Sequence, residues 1–497
     1  MKKTYSSGQD WARQRIRPDQ IEKYLAGNDC FIPPGKIEEL LRDRGEPEPS
    51  RVREILAKAL EIQTLEPAEA ADLILLRDPE LREEAGRTAG LIKHKVYDNR
   101  IVTFAPFYTG TACVNNCLYC GFRRDNPDLE RDILSLERIR RETEVLVGEI
   151  GHKRLILVYG EHPASGIDYM IDSLQAVYSV RIPTRSGGGF NGIRRANINA
   201  PVLPIEELQL LHEAGIGTYQ VFQETYHRPT YEKYHPRGTV KGDYLWRLYC
   251  MHRAFEAGID DVGIGVLFGL GDWRYEVLGL LLHARELEGR FGIGPHTISF
   301  PRLRPALGVD LGRPPVPDEE FLHLITVLRL AVPYTGMIIT AREPAEIRRA
   351  SIGLGITQTD ASSRIGVGAY AGGDGGQEDT RQQFLLGDTR SLDEVVAELA
   401  RMGCITSFCT AGYRCGRTGK KIMDLLRCGQ EGVFCKLNAI ITFREWLDDF
   451  ASPGTRRIGE ELIRREIAEV ETRFPELAPS LLDYYRRTAQ GERDLYF

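Results

Sequence analysis

Nothing in this 497-residue chain is apolar for long enough to cross a bilayer; no run approaches the roughly 18 residues that a spanning helix requires. Its opening, Met1-Lys2-Lys3-Thr4-Tyr5-Ser6-Ser7-Gly8, has no apolar stretch of the kind found in secretory signals. Both absences give the expectation of a cytoplasmic protein with no membrane partner. An excess of one charge is also missing. The formal net charge is −6, which gives no reason to expect nucleic acid as a partner. The final residues, Asp494-Leu495-Tyr496-Phe497, resemble part of a protease-site scar and are left out of the functional reading.

Cysteine is plentiful and unevenly placed: Cys30, Cys113, Cys117, Cys120, Cys250, Cys404, Cys409, Cys415, Cys428 and Cys435. In a reducing compartment such clusters argue for metal or redox chemistry over disulfides. Residues 1–95 are charged and helical in pattern, as in 37–44 and 52–62, and are expected to form a helical cap. From 96 to 370, short apolar runs alternate with amphipathic stretches. Strands are expected at 101–107, 154–159, 195–199, 218–223, 261–267, 296–301, 336–340 and 355–359. Eight strands alternating with helices imply an α/β fold, a parallel (β/α)8 TIM-type barrel. Polar residues close several strands (Glu161, Asn199, Glu224, Arg302, Arg342), where barrel chemistry sits. A glycine-rich stretch opens a linker over 371–390, and 391–497 is expected to be a helical C-terminal domain with five cysteines.

After the first strand comes Cys113-Val-Asn-Asn-Cys117-Leu-Tyr119-Cys120, a C-x3-C-x2-C spacing. Three thiolates hold three irons of a cubane [4Fe–4S] cluster and leave the fourth open. S-adenosylmethionine (SAM) can chelate an open iron and be cleaved by an electron from the cluster. A structural zinc site would need a fourth ligand, and no second cysteine pair lies nearby.

The motif and its place resemble the radical SAM superfamily. That resemblance assigns Cys113, Cys117 and Cys120 to the cluster, sets Tyr119 beside the cofactor, and gives Gly160-Glu161 the role of binding the SAM amino group. Longer segments, among them 214–227, 258–266, 294–306, 332–337 and 408–419, resemble one branch, the aromatic amino-acid lyases. The likeness is stronger to the tyrosine lyases of [FeFe]-hydrogenase maturation than to the 2-iminoacetate synthases of thiamine biosynthesis. It implies cleavage of the Cα–Cβ bond of L-tyrosine to p-cresol and 2-iminoacetate (dehydroglycine), with a ferredoxin or flavodoxin as electron donor and a hydrogenase-maturation scaffold as a further partner.

Asn199, Gln223 and Glu224 are candidate SAM contacts. For Glu224 the alternative is an ion pair with Arg228 or Lys233. Arg302, Arg304 and Arg342 are candidates for a substrate carboxylate, which a guanidinium grips with two bonds; one of the first two is expected to be structural. The hydrogenase enzymes use C-x2-C-x22-C for a second cluster, whose positions here are Cys409, 412 and Cys435. Position 412 is glycine. That departure fits loss of the second cluster, replacement of the missing thiolate by Cys415, or a change introduced to disable the site. His283 and His296 are candidates for the extra iron found in the family. The alternatives are a full maturase releasing CO and cyanide, a lyase for another aromatic amino acid, and an iron–sulfur carrier.

Overall fold

The computed structural model describes the whole chain except residues 1–7, 28, 43, 313, 373–377 and 428–430. Eight parallel strands form the barrel: β1 (Arg100–Tyr108), β2 (Arg154–Val158), β3 (Arg195–Asn199), β4 (Tyr219–Gln220), β5 (Val262–Gly265), β6 (Thr297–Ser299), β7 (Gly336–Ile339) and β8 (Gln358–Asp360). Neighbours pair in chain order, and β8 closes on β1 through Val102–Gln358 to Phe104–Asp360. The expected TIM-type fold is therefore observed, each strand lying within its expected run or overlapping it. The regular strands are short because a tilted barrel keeps few residues in register per strand.

The barrel sheet has a ninth strand that was not foreseen. β9 (Ile405–Ser407) lies outside the barrel and pairs in parallel with Arg100–Val102, the first residues of β1. β1 is long enough to serve β9 first and then β2 from Ala105 onward. This ties the C-terminal region to the lower, N-terminal end of the barrel. A second core fills the join, with Ile101, Phe408, Leu437, Phe443 and Trp446 buried together. The C-terminal helix Leu392–Arg401 starts at Ser391, whose hydroxyl and backbone exchange bonds with Glu394 in a capping box.

The expected N-terminal cap is split in two. Helices Pro49–Leu60, Pro67–Ile74 and Pro79–Tyr97 each begin with proline at the first turn. They pack along the barrel's flank against helices Trp273–Phe291 and Asp318–Ala331. The first helix, Gly8–Arg15, and the short helix Asp19–Glu22 lie instead against the helix that follows β3. Arg15 holds Glu207 (Nη2 to Oε2, 2.7 Å) and Gln20 holds Glu206 (3.0 Å).

The supposed terminal scar is part of the fold. The Phe497 amide donates to Asn438 Oδ1 (2.9 Å), and Asp494 pairs with Arg194 (2.9 Å) and Arg414 (2.8 Å).

Candidate active site at the barrel mouth

The loop after β1 is shaped by a residue that the sequence did not advertise. Arg131 points its guanidinium into the loop and donates to the carbonyls of Thr111 (3.0 Å), Phe122 (2.9 Å) and Arg123 (2.5 Å). Val114 N–H donates to the Glu161 carbonyl at 2.7 Å, fastening the loop to the end of β2. Gly160 is required there, since a Cβ would stand 2.3 Å from the Ala112 carbonyl oxygen.

Cys113, Cys117 and Cys120 all line one open-topped cavity of about 210 Å³ at the C-terminal ends of the strands. Burial, then the neighbouring cysteines, pushes the Cys113 thiol up to about 12, and burial pushes Cys117 up to about 11. Such thiols ionise only when a metal takes the proton's place. Among the described residues no three ligating side chains stand close enough to share one metal ion. A cubane needs no such closeness, because each thiolate binds its own iron. Three soft donors from one loop, opening on a cavity, fit a cluster.

Tyr119, Gly160, Glu161, Asn199 and Glu224 line the same cavity, as expected. Tyr119 O–H meets His235 Nε2 at 2.8 Å, while His235 Nδ1 meets the Tyr231 carbonyl at 2.8 Å. The carbonyl can only accept, so Nδ1 carries hydrogen, Nε2 accepts, and the ring is neutral. Burial agrees, lowering the His235 pKa well below its usual value.

Glu161 is buried and accepts from Asn115 Nδ2 (3.0 Å) and Trp11 Nε1 (3.2 Å). Burial raises its pKa, against the pull of Arg15, Asn115 and Trp11. Glu224 is the opposite case. Burial would raise it, yet Lys241 (2.6 Å) and Arg247 (3.4 Å) hold it below the usual carboxylate range. Neither Arg228 nor Lys233, the partners of the alternative reading, is among them. Glu224 also has φ of 72°, a left-handed conformation unusual outside glycine and concentrated at functional sites.

The arginines separate cleanly. Arg342 lines the cavity, its guanidinium 3.3 Å from the centre of the Phe384 ring. Arg302 does not. Its guanidinium is consumed by Glu343, Asp318 (2.6 Å) and the Val316 carbonyl (2.8 Å), so it braces the strand end and is not free for substrate. Arg304 is half-buried beside Gly387, off the cavity. Gln223 is buried and is not in the lining, although Phe222 and Glu224 on either side of it are; its backbone N–H donates to the Gly265 carbonyl. Of the expected linker, residues 373–377 lie outside the described residues, but Gln383, Phe384 and Leu386 form one wall of the cavity. The remaining wall is apolar, with Phe104, Ile156, Val158 and Ile338 clustered.

A second pocket, lined by Cys409, Gly412, Arg414, Cys435, Asn438 and Tyr496, opens where the C-terminal domain meets Arg100. Cys415 is not in its lining and points its thiol to the Phe497 carbonyl at 3.5 Å. Two thiols face this pocket among the described residues, one fewer than a cubane takes from a three-cysteine motif. Cys428 lies outside the described residues. His283 is nowhere near it. That ring sits on helix Trp273–Phe291 against Tyr226 O–H (2.8 Å) and Phe31 (5.1 Å), and burial lowers its pKa to about 3. His296 is on this side, its ring 6.5 Å from that of Tyr413.

Comparison with known proteins agrees with this geometry. Residues 107–281 match the Radical SAM superfamily, and 299–405 match the Biotin and Thiamin Synthesis associated domain. A crystal structure of HydG, a maturase of the [FeFe]-hydrogenase, is 43% identical with a TM-score of 0.88, covering 94% of this chain and 100% of that one. HydG from Carboxydothermus hydrogenoformans is 36% identical with a TM-score of 0.76, covering 90% and 96%. The 2-iminoacetate synthase of Escherichia coli (strain K12) is 30% identical over 325 residues, 65% of this chain and 81% of the relative. The chain belongs to the radical SAM superfamily, in the family that includes HydG and 2-iminoacetate synthase, and membership brings a [4Fe–4S] cluster and SAM as its cofactors.

Proposed function

We propose that this protein is a carbon–carbon lyase that cleaves L-tyrosine between Cα and Cβ to give p-cresol and 2-iminoacetate. The observation that carries the reading is the meeting, in one cavity, of the three cluster thiols, two acidic anchors, a buried guanidinium and an apolar wall. When bound, the cluster and SAM supply one-electron chemistry that ends in abstraction of a hydrogen atom.

The chain's own residues do the rest. Cys113, Cys117 and Cys120 hold the cluster. Glu161, oriented by Asn115 and Trp11, accepts from the amino group of SAM. Glu224, kept charged by Lys241 and Arg247, and Asn199 take further polar groups of that cofactor. Arg342 binds the carboxylate of the amino acid, and the apolar wall receives its ring. The first helix and the 378–386 segment limit water at the mouth, which protects a reactive intermediate from side reactions. A low-potential donor such as ferredoxin or flavodoxin supplies the electrons.

A second reading, full maturation with release of CO and cyanide and delivery to a scaffold, is favoured by the retained pocket around Cys409 and Cys435. An anaerobic assay of reconstituted protein with SAM, dithionite and L-tyrosine separates the two. Deoxyadenosine and p-cresol without CO support the lyase. All three products support the maturase. Deoxyadenosine without p-cresol sinks tyrosine and favours another aromatic amino acid. No SAM cleavage at all would leave an iron–sulfur carrier.

A further inference from the structure

Gln383 stands at the meeting of three independent contacts with the cysteine loop. Its carbonyl accepts from the Gly121 N–H at 3.2 Å. The fit is close, because a Cβ on Gly121 would lie 2.8 Å from that same oxygen and 3.0 Å from the carbonyl of Gln382. Its side-chain Oε1 accepts from Tyr108 O–H at 3.0 Å. Its Nε2 donates to Cys120 Sγ at 3.4 Å.

An amide has one accepting end and one donating end. A cluster-bound thiolate can only accept, so the NH2 faces Cys120 Sγ and Oε1 is left to accept from Tyr108 O–H. That hydroxyl keeps its proton at neutral pH, because burial raises its pKa above the usual value. Tyr108 ends β1 and is buried. Gly121 directly follows the third cysteine. The amide is thus held by the strand on one side and by the loop on the other.

We infer that Gln383 is a positioning residue for the cluster, donating an N–H···S bond to Cys120 that eases reduction and docks the 378–386 segment onto the cysteine loop. The inference rests on the assignment of Cys120 as a cluster ligand. Its physical basis is charge. One-electron reduction adds negative charge to the cluster and its thiolates, and a hydrogen bond to a ligand sulfur stabilises the more negative state and raises the potential. The segment comes from the far end of the barrel sequence, 263 residues from Cys120. Local motifs therefore do not announce it.

The test is a potentiometric titration of the reconstituted full chain, followed by electron paramagnetic resonance, with iron content measured on each sample. Gln383→Leu keeps the bulk and removes the donor. Its midpoint is expected at a more negative potential than wild type, at unchanged iron content. Tyr108→Phe, which frees the amide to turn over, is expected to shift it in the same direction by less. Trypsin cleavage after Arg381 is expected to speed up in Gln383→Leu. Unchanged midpoints in both variants with full iron content would overturn the inference while leaving the cluster assignment intact. Wild-type protein that binds no iron would overturn the cluster assignment itself. If Gln383→Leu fails to load iron, the Tyr108→Phe midpoint decides alone, and an unshifted value counts against the inference.

Discussion

The indole N–H of Trp11 donates to the carboxylate of Glu161 at 3.2 Å, across 150 residues of sequence. The first helix of the chain thus touches the end of β2, and one of the two acidic anchors in the cavity is oriented from outside the barrel. Trp11 is buried, and Arg15 lies 5.1 Å from the centre of its ring.

Trp11→Phe is expected to weaken SAM binding by roughly 10- to 100-fold, since a hydrogen bond to a charged group contributes about 1.5–3 kcal/mol. Glu161 already titrates above the usual range because it is buried. Losing a donor to its ionised form moves it higher, so the acidic limb of SAM binding should shift to higher pH. Equilibrium dialysis across pH reads both effects. Unchanged affinity with an unchanged limb would mean that Trp11 merely packs.

Arg342 and Arg302 should part company on mutation. Arg342→Gln is expected to raise KM for the amino acid while leaving SAM affinity and Tm near wild type. Arg302→Met strands Glu343, which is almost fully buried. Breaking a buried pair costs about 3–5 kcal/mol, so its signature should be a lower Tm with little change in KM. The reverse pattern would return Arg302 to the substrate site.

Gly160→Ala places a methyl group 2.3 Å from the Ala112 carbonyl oxygen. That contact is to backbone, so the cysteine loop must shift. Reconstitution is expected to load less iron, with a weaker iron–sulfur absorption band, while the far-ultraviolet circular dichroism stays native. Full loading would show that the loop yields without cost.

Glu445 joins the C-terminal domain to the barrel through Arg194 (2.8 Å) and Lys153 (3.2 Å). Burial alone would raise its pKa, but Arg194 and Lys153 outweigh it and bring it down to about 2. A folded pKa below the unfolded one gives stability that is complete above the unfolded value near 4.5 and is lost as pH falls toward 2. Glu445→Gln should flatten that part of the stability curve and destabilise by about 3–5 kcal/mol at neutral pH. Urea melts at several pH values check both. A variant with wild-type pH dependence would place the acid sensitivity elsewhere.

With two thiols lining the second pocket, the wild-type chain is expected to hold about four irons, one cubane. Gly412→Cys should raise the count toward about eight, because position 412 lines that pocket between Cys409 and Cys435. Eight irons in the unsubstituted chain would mean that Cys415 turns in to serve as the third ligand.

Much of this protein was legible in the sequence because the information is local. The eight strand runs follow from apolar residues bounded by turns. The cluster residues follow from a spacing of three and two inside one loop, and Glu161, Asn199, Glu224 and Arg342 from their places at strand ends. What failed was orientation. Arg302, Arg304 and Gln223 also sit near strand ends, but the first turns outward to Glu343, the second lies beside Gly387, and the third is left out of the lining between Phe222 and Glu224. Alternation along a strand settles which face a side chain takes only if the register is known to one residue. His283 failed for a related reason, since helical periodicity cannot say which neighbour a helix face meets.

The barrel, the three-thiol loop and the missing thiol at position 412 could be read from the residue order alone, for each is written in contiguous residues whose spacing sets local geometry. It took the packed fold to show that Lys241, Arg247 and Gln383 enter the cavity, that Trp11 reaches Glu161 behind it, that Asp494–Phe497 belong to the C-terminal domain, and that Cys415 turns away from Cys409 and Cys435. Those contacts join segments far apart in the chain, and nothing in the local spacing of residues records which distant segment will pack against which.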